Sequence, residues 1–285
     1  MPVALRMQRP QPYRWEIEFD HPGQEVSIGV VVPFDFSLDW EYWKYLPPEV
    51  ELHFTRTPHV NGQVGVALAK ALWRPTVAVK ATKSLLPVNP RVVLYACSSG
   101  SFVKGVAGER ELRAAMAETG VPRVVTSSSA MVDALRMTGR QKVAVVSPYT
   151  ERLTSLLVDF LEEAELDVTS ANFLGLNRGM STVSKATIAD LVHQADDDTE
   201  AEAVFVSCTA LRTYGIVAQL ERELERPVFT ANQVSLWAAL LAAGALPRTR
   251  TDAEPEWVMG DADPVARSTR LLISAAQQTV EHGAA

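Results

Sequence analysis

From about residue 26 to 245, short apolar runs alternate with helical periods. The runs VSIGVVV (26–32), VELHFT (50–55), RVVLYA (91–96), PRVVT (122–126), KVAVVS (142–147) and EAVFVS (202–207) are brief and Val-rich, and most are continuous rather than alternating. Such runs predict strands buried on both faces. Leu153, Leu156, Leu157, Phe160 and Leu161 recur at helical spacing, as do Ile216, Val217, Leu220 and Leu224, and then Trp237, Leu240 and Leu241. Each stripe predicts a helix laid on a sheet. Gly120 and Gly139 fall where two helices are expected to stop. Alternation of this kind predicts an α/β fold, with parallel sheets covered on both faces by helices.

A weak internal repeat organises these elements. KVAVVSPYTERLTSLL (142–157) echoes VSIGVVVPFDFSLDWEY (26–42), an apolar strand, a Pro turn and a helix. EAVFVSCTALR (202–212) echoes VVLYACSSGSF (92–102), a strand ending in Cys and small hydroxyl residues. Pro33 lies 64 residues before Cys97, and Pro148 lies 60 before Cys208. The spacing predicts two homologous halves, 1–140 and 141–285, each bringing one Pro turn and one Cys to the carboxyl ends of its strands. Open α/β sheets bind ligands there, so two facing halves would set one thiol on each side of a shared cleft. Residues 1–25 are expected to form an irregular arm or edge strand and PRTRTDAEPEW (247–257) a polar linker. Residues 264–283 are expected to form a final helix, packed on the first half or in a subunit contact.

Charge and composition narrow the partners. A net charge of −7 and the absence of a basic block argue against a nucleic-acid surface. No apolar stretch is long enough to span a membrane, and the N-terminal residues lack the apolar core of a signal peptide. A cytoplasmic protein is therefore expected. The cysteines, 111 positions apart, form neither a disulfide framework nor a CxxC, and His21, His53, His59, His193 and His282 show no ligand spacing. No metal site is expected. Two reduced thiols are either buried small hydrophobes or working chemistry.

Cys97 stands in ACSSGSF, after a strand and before an expected helix. Ser98, Ser99 and Gly100 can turn several N–H groups toward one anion, and a helix N-terminus there would lower the thiol pKa. Cys97 is accordingly expected to be the more reactive thiol. Cys208 stands in VSCTALR, where Thr209 could offer a hydroxyl to a carboxylate and Ala210 is expected to open a helix. For either Cys alone a buried strand end explains as much; the matched pair favours catalysis.

These residues resemble a known family. VVLYACSSGSF, VAVVSPYTERLTSLLVDFLEEAELDV, FVSCTALRTYGIV and RPVFTANQVSLWAALLAAG are similar to the maleate cis–trans isomerase and arylmalonate decarboxylase branch of the aspartate/glutamate racemase superfamily. The resemblance implies two pseudo-symmetric Rossmann-like domains with the active site in the interdomain cleft, a small carboxylate substrate, neither metal nor organic cofactor, and a homo-oligomer (dimer or tetramer). Tyr149 matches a Tyr that donates to a substrate carboxylate, and Asn177 an Asn that contacts the bound dicarboxylate; a turn role fits Asn177 equally. Asn232 fits a helix N-cap better than a ligand. Where the isomerases carry an Asn after the first Pro, this chain has Pro33-Phe34-Asp35, so Asp35 either stands in for it or caps the next helix. An acid there would repel a plain dicarboxylate and suit an amino-bearing substrate. Trp40, Tyr42, Trp43 and Tyr45 are expected in the core or an interface.

Keeping both cysteines, the chain is expected to be an isomerase of a maleate-like dicarboxylate, acting by thiolate addition, rotation and elimination. A two-cysteine amino-acid racemase and an arylmalonate-decarboxylase-like enzyme of amino-acid or ectoine catabolism are the enzymatic alternatives. A non-catalytic carboxylate-binding protein is the alternative of another class.

Overall fold

The strands form where the chain is most continuously apolar. β1 (Val26–Val32), β2 (Val50–Arg56), β3 (Val92–Tyr95) and β4 (Val124–Thr126) make one sheet, in the order β2-β1-β3-β4. β5 (Lys142–Ser147), β6 (Asp167–Phe173), β7 (Ala203–Val206) and β8 (Val228–Thr230) make a second, in the order β6-β5-β7-β8. Every pairing is parallel. The computed structural model describes residues 26–47, 49–196, 200–246 and 266–283. The expected arm at 1–25, the linker at 247–257 and residues 264–265 of the expected final helix lie outside them.

The two sheets repeat one topology, as the sequence echo predicts. All six expected strands are present, and β6 and β8 join them. β6 reads DVTSANF, with Asp, Ser and Asn that disfavour strands, and sits half-exposed at a sheet edge. β8 is only three residues long, too short to show a period.

The helices are α1 (Asp39–Trp43), α2 (Val66–Trp73), α3 (Pro75–Lys83), α4 (Ser98–Phe102), α5 (Gly105–Ala117), α6 (Ser127–Met137), α7 (Glu151–Glu163), α8 (Lys185–Asp196), α9 (Val217–Leu224), α10 (Ala231–Ala243) and α11 (Arg267–Gly283). Gly120 and Gly139 follow α5 and α6 in left-handed conformation, at φ 96° and 69°, where a Cβ would be strained. After Cys208, by contrast, the chain runs through turns to Ile216 before α9 begins. The helix expected to open at Ala210 is therefore absent, and Cys208 itself sits at φ 95°.

α6 and α10 begin in the same way. Thr126 and Thr230 each cap N-terminally through a reciprocal capping box, with Ser129 and Gln233 respectively. Thr230, not Asn232, is therefore the N-cap of α10, and Asn232 is buried inside the helix. α10 is apolar on almost every side because it lies between the halves, packed on α6, β1, β3 and β4 as well as on its own β8. Ser235 of α10 donates to Ser127 of α6 at 2.9 Å. α11 packs on both α6 and β8. Among the described residues, no helix is long and apolar enough to cross a membrane.

Candidate active site

In each sheet the central pair, β1 with β3 and β5 with β7, leads into connections that diverge to opposite sides. A crevice opens at that switch point. Pro33, Phe34 and Asp35 follow β1, and Cys97, Ser98 and Ser99 follow β3. Pro148 and Tyr149 follow β5, and Cys208 and Thr209 follow β7. The two crevices face each other and enclose one cavity of about 470 Å³. All eight residues expected at the site line it: Asp35, Cys97, Ser98, Ser99, Tyr149, Asn177, Cys208 and Thr209.

Two loops from the edge strands close the far side. Val64 N–H, after β2, donates to the Asn177 carbonyl, after β6, at 2.8 Å. Asn177 Nδ2 donates to Gln63 Oε1 at 3.1 Å. Asn177 thus turns the chain and lines the cavity at once. Gln63 and Arg178 line it too, and sequence reading overlooked both. The sequence signal for Arg178 is its place beside Asn177; Gln63 lies in a polar loop without a motif. The aliphatic wall is Val64, Leu68, Leu72 and Met180.

Both thiols are buried and free. Burial raises the Cys97 thiol to about 12, and the Gly100 N–H, the largest opposing influence, does not offset it; the Asp35 charge adds to the rise, and the Ser99 hydroxyl favours the thiolate. The expectation that the α4 N-terminus would make Cys97 the readier thiolate is thereby corrected. That helix has five residues, and desolvation outweighs it. Cys208 is raised by burial to about 11, with the Ala210 and Leu211 N–H groups and the Tyr149 hydroxyl holding it lower than Cys97. The Tyr95 hydroxyl lies against Cys97 as the Tyr149 hydroxyl lies against Cys208, so polar groups flank both thiols, and burial, the largest influence on each, raises Cys208 less.

The remaining side chains divide by what already engages them. Tyr149 is buried, its phenol pushed well above its usual range by burial and by the adjacent Cys208, so its hydroxyl serves the thiol in this state. The Thr209 hydroxyl donates to the Ala96 carbonyl at 3.3 Å, tying the two Cys loops together. To donate to a carboxylate in the cavity the hydroxyl would turn away from that carbonyl. Ser98 is buried with no hydrogen-bond partner for its Oγ among the described residues. Asp35 is exposed to the cavity, and α1 begins only at Asp39 after Leu38; Asp35 therefore does not cap that helix. Tyr95, which stands in VVLYACSSGSF without a role read from it, is buried beside Cys97 and donates from its hydroxyl to the Leu72 carbonyl at 2.9 Å. A Cβ on Gly100 would stand 2.9 Å from both Cys97 Sγ and Tyr95 Oη, so a side chain there would crowd the thiol. Tyr42 and Tyr45 are buried as expected, whereas Trp40 and Trp43 are exposed. Among the described residues, no His/Cys/Asp/Glu cluster could hold a metal ion.

A sequence profile described as arylmalonate decarboxylase matches residues 77–254, more than half of the chain. The chain belongs to the arylmalonate decarboxylase family. The arylmalonate decarboxylase of Bordetella bronchiseptica is 32% identical over 163 residues, covering 56% of this chain and 68% of that protein. A maleate isomerase of Nocardia farcinica is 29% identical over 233 residues, covering 75% and 88%. Among solved structures, a double mutant of arylmalonate decarboxylase in its liganded form superposes with a TM-score of 0.72 at 25% identity, over 84% of this chain and 99% of that one. A mutant maleate cis–trans isomerase of Nocardia farcinica with a covalently bound succinylcysteine intermediate shares the fold, with a TM-score of 0.65 at 22% identity, over 77% and 93%. This arylmalonate decarboxylase family member is an enzyme, within the isomerase and decarboxylase chemistry of its relatives.

Proposed function

We propose that the protein is a cofactor-independent cis–trans isomerase of a maleate-like dicarboxylate. The observation that carries this reading is the pair of buried thiols lining one cavity from opposite halves. Decarboxylation needs one proton donor. Addition to an alkene with return of a proton uses two groups, one as nucleophile and one as acid and base.

In the proposed sequence the reacting form of the pair is the minor one that has lost a single proton, with Cys97 as thiolate and Cys208 as thiol; the resting pair holds both protons. Cys97 thiolate adds to one alkene carbon, and the π electrons move toward the neighbouring carboxylate. Cys208 gives its proton to the other carbon, leaving a thioether to Cys97 and a Cys208 thiolate. The former double bond is now single and rotates. Cys208 then removes a proton from the same carbon, the double bond re-forms in the trans geometry, and Cys97 leaves as thiolate. Protons and electron pairs balance, because the pair ends as it began. The asymmetry between the thiols fits these roles. Cys208, raised less, is the better acid, and a thiolate at the higher pKa of Cys97 is the stronger nucleophile. A succinylcysteine, as named for the Nocardia isomerase, is the adduct this sequence would give with maleate.

A second reading is favoured by one residue. Asp35 puts a carboxylate on the cavity wall, which suits an amino-bearing substrate and a racemase that moves a Cα proton from one thiol to the other. One panel separates the readings: maleate, an arylmalonate, and D- and L-aspartate and glutamate, followed by NMR in deuterated water. Conversion of maleate to its trans isomer is expected. Inert maleate with deuterium entering Cα of an amino acid would replace the isomerase by the racemase, and loss of carbon dioxide from the arylmalonate alone would replace both.

A further inference from the structure

Glu41, on α1 of the first half, is fully buried among residues of the second. Its Oε1 accepts from Thr213 Oγ1 at 2.8 Å, Tyr214 N–H at 3.2 Å and Asn232 Nδ2 at 3.2 Å. Thr213 and Tyr214 belong to the turns that follow Cys208, and Asn232 to the first turn of α10. The Tyr214 ring is also edge-on to Tyr45 and Trp40, at 5.2 and 6.3 Å. A single carboxyl thus fastens the far end of the Cys208 loop to the first half. Two atoms of this junction stand out. Glu41 Oε2 and Asn232 Oδ1 are both buried without a hydrogen-bond partner among the described residues, although the groups that carry them are already joined on their other edge.

We propose that Glu41 carries a proton on Oε2 and donates it to Asn232 Oδ1, closing a two-way acid–amide pair that positions the Cys208 loop. Two buried acceptors on one joined pair would each bear the cost of lost hydration with no hydrogen bond in return; one proton between them satisfies both. Burial, the largest influence, holds the Glu41 carboxyl above its usual range despite the Asn232 and Thr213 side chains and the Thr213 and Tyr214 N–H groups that favour its charged form. No Lys, Arg or His forms an ion pair with Glu41 among the described residues. Glu41 is a positioning residue: it touches the loop that carries the thiol, not the cavity. Only the effect on turnover rests on the role proposed for Cys208; the proton itself does not.

Infrared difference spectra of the parent against Glu41→Gln near pH 7 test the proton directly. The proposal expects the carbonyl stretch of a neutral, hydrogen-bonded carboxylic acid, lost in the variant; a carboxylate band in its place overturns it. Glu41→Gln keeps an acceptor and supplies an N–H toward Asn232 Oδ1, so it should hold turnover and thiol labelling within about threefold of the parent. Glu41→Ala releases the loop. Cys208 should then label about tenfold faster, as for a thiol pKa one unit lower, while Cys97 is unchanged. Equal effects on both thiols, or a Gln variant as impaired as the Ala variant, would also overturn the positioning role. Should Glu41→Ala fail to fold, the spectra and the Gln variant decide.

Discussion

Small thiosulfonates that cleave to a mixed disulfide report thiolate directly, and the two burials make a quantitative forecast for them. At pH 8 a free thiol of pKa about 8.5 is about one-quarter ionised, whereas thiols at about 11 and about 12 are ionised to about one part in a thousand and one in ten thousand. A more basic thiolate is a better nucleophile, with a slope of about 0.45 per unit, which returns about thirteenfold to Cys208 and about fortyfold to Cys97. The net forecast is labelling about twentyfold slower than free cysteine at Cys208 and about sixtyfold slower at Cys97. Both rates should climb about tenfold per pH unit from 8 to 10, because both thiols remain mainly protonated there. Methyl methanethiosulfonate with mass-spectrometric readout of each Cys peptide measures this. Cys97 labelling as fast as free cysteine, or a plateau in either rate by pH 9, would refute the reasoning: it would mean that the loop N–H groups outweigh burial.

Three further outcomes follow from the same geometry. Unfolded thiols lose protons from about pH 8.5 and the folded ones only near 11 and 12, so the folded chain holds more protons in between and stability falls as pH rises. The loss should reach about 2 kcal/mol per thiol by pH 10, read as the difference in urea unfolding between the parent and a variant with both cysteines replaced by Ala. Cys208 sits at φ 95°, so Cys208→Gly should be about 1 kcal/mol more stable than Cys208→Ala; equal melting would count against strain there. Tyr149→Phe removes a donor to Cys208 and should slow its labelling by up to about tenfold with Cys97 unaffected, whereas a Tyr that acts only on substrate would leave both rates unchanged.

What could be read beforehand follows a physical line. Strands buried on both faces are continuous Val-rich runs, so β1, β3, β5 and β7 and the residues at their ends were legible, and with them Cys97, Tyr149 and Cys208. The edge strand β6 was not, because half-exposed DVTSANF carries polar residues at most positions. The turns after Cys208 are indistinguishable from a helix in sequence, since a backbone at positive φ leaves no mark in a stretch such as CTALR. Thiol acidity is not legible for a different reason: a helix N-terminus is visible in a sequence, while desolvation depends on the other half closing over it. Glu41 looked like one polar residue in an aromatic helix, and only the second half's Thr213, Tyr214 and Asn232 give it meaning.

The central claim is that Cys97 and Cys208 act as one unit on one substrate, and the direct measurement is turnover in Cys97→Ala, Cys208→Ala and the double variant, with the substrate that the NMR panel identifies. Residues that work as a unit are non-additive. Each single replacement should therefore remove almost all activity, and the double should cost little more. A one-thiol decarboxylase would instead lose turnover with Cys208→Ala and keep it with Cys97→Ala. Retention of more than about a tenth of the parent rate in Cys97→Ala would contradict the two-thiol account.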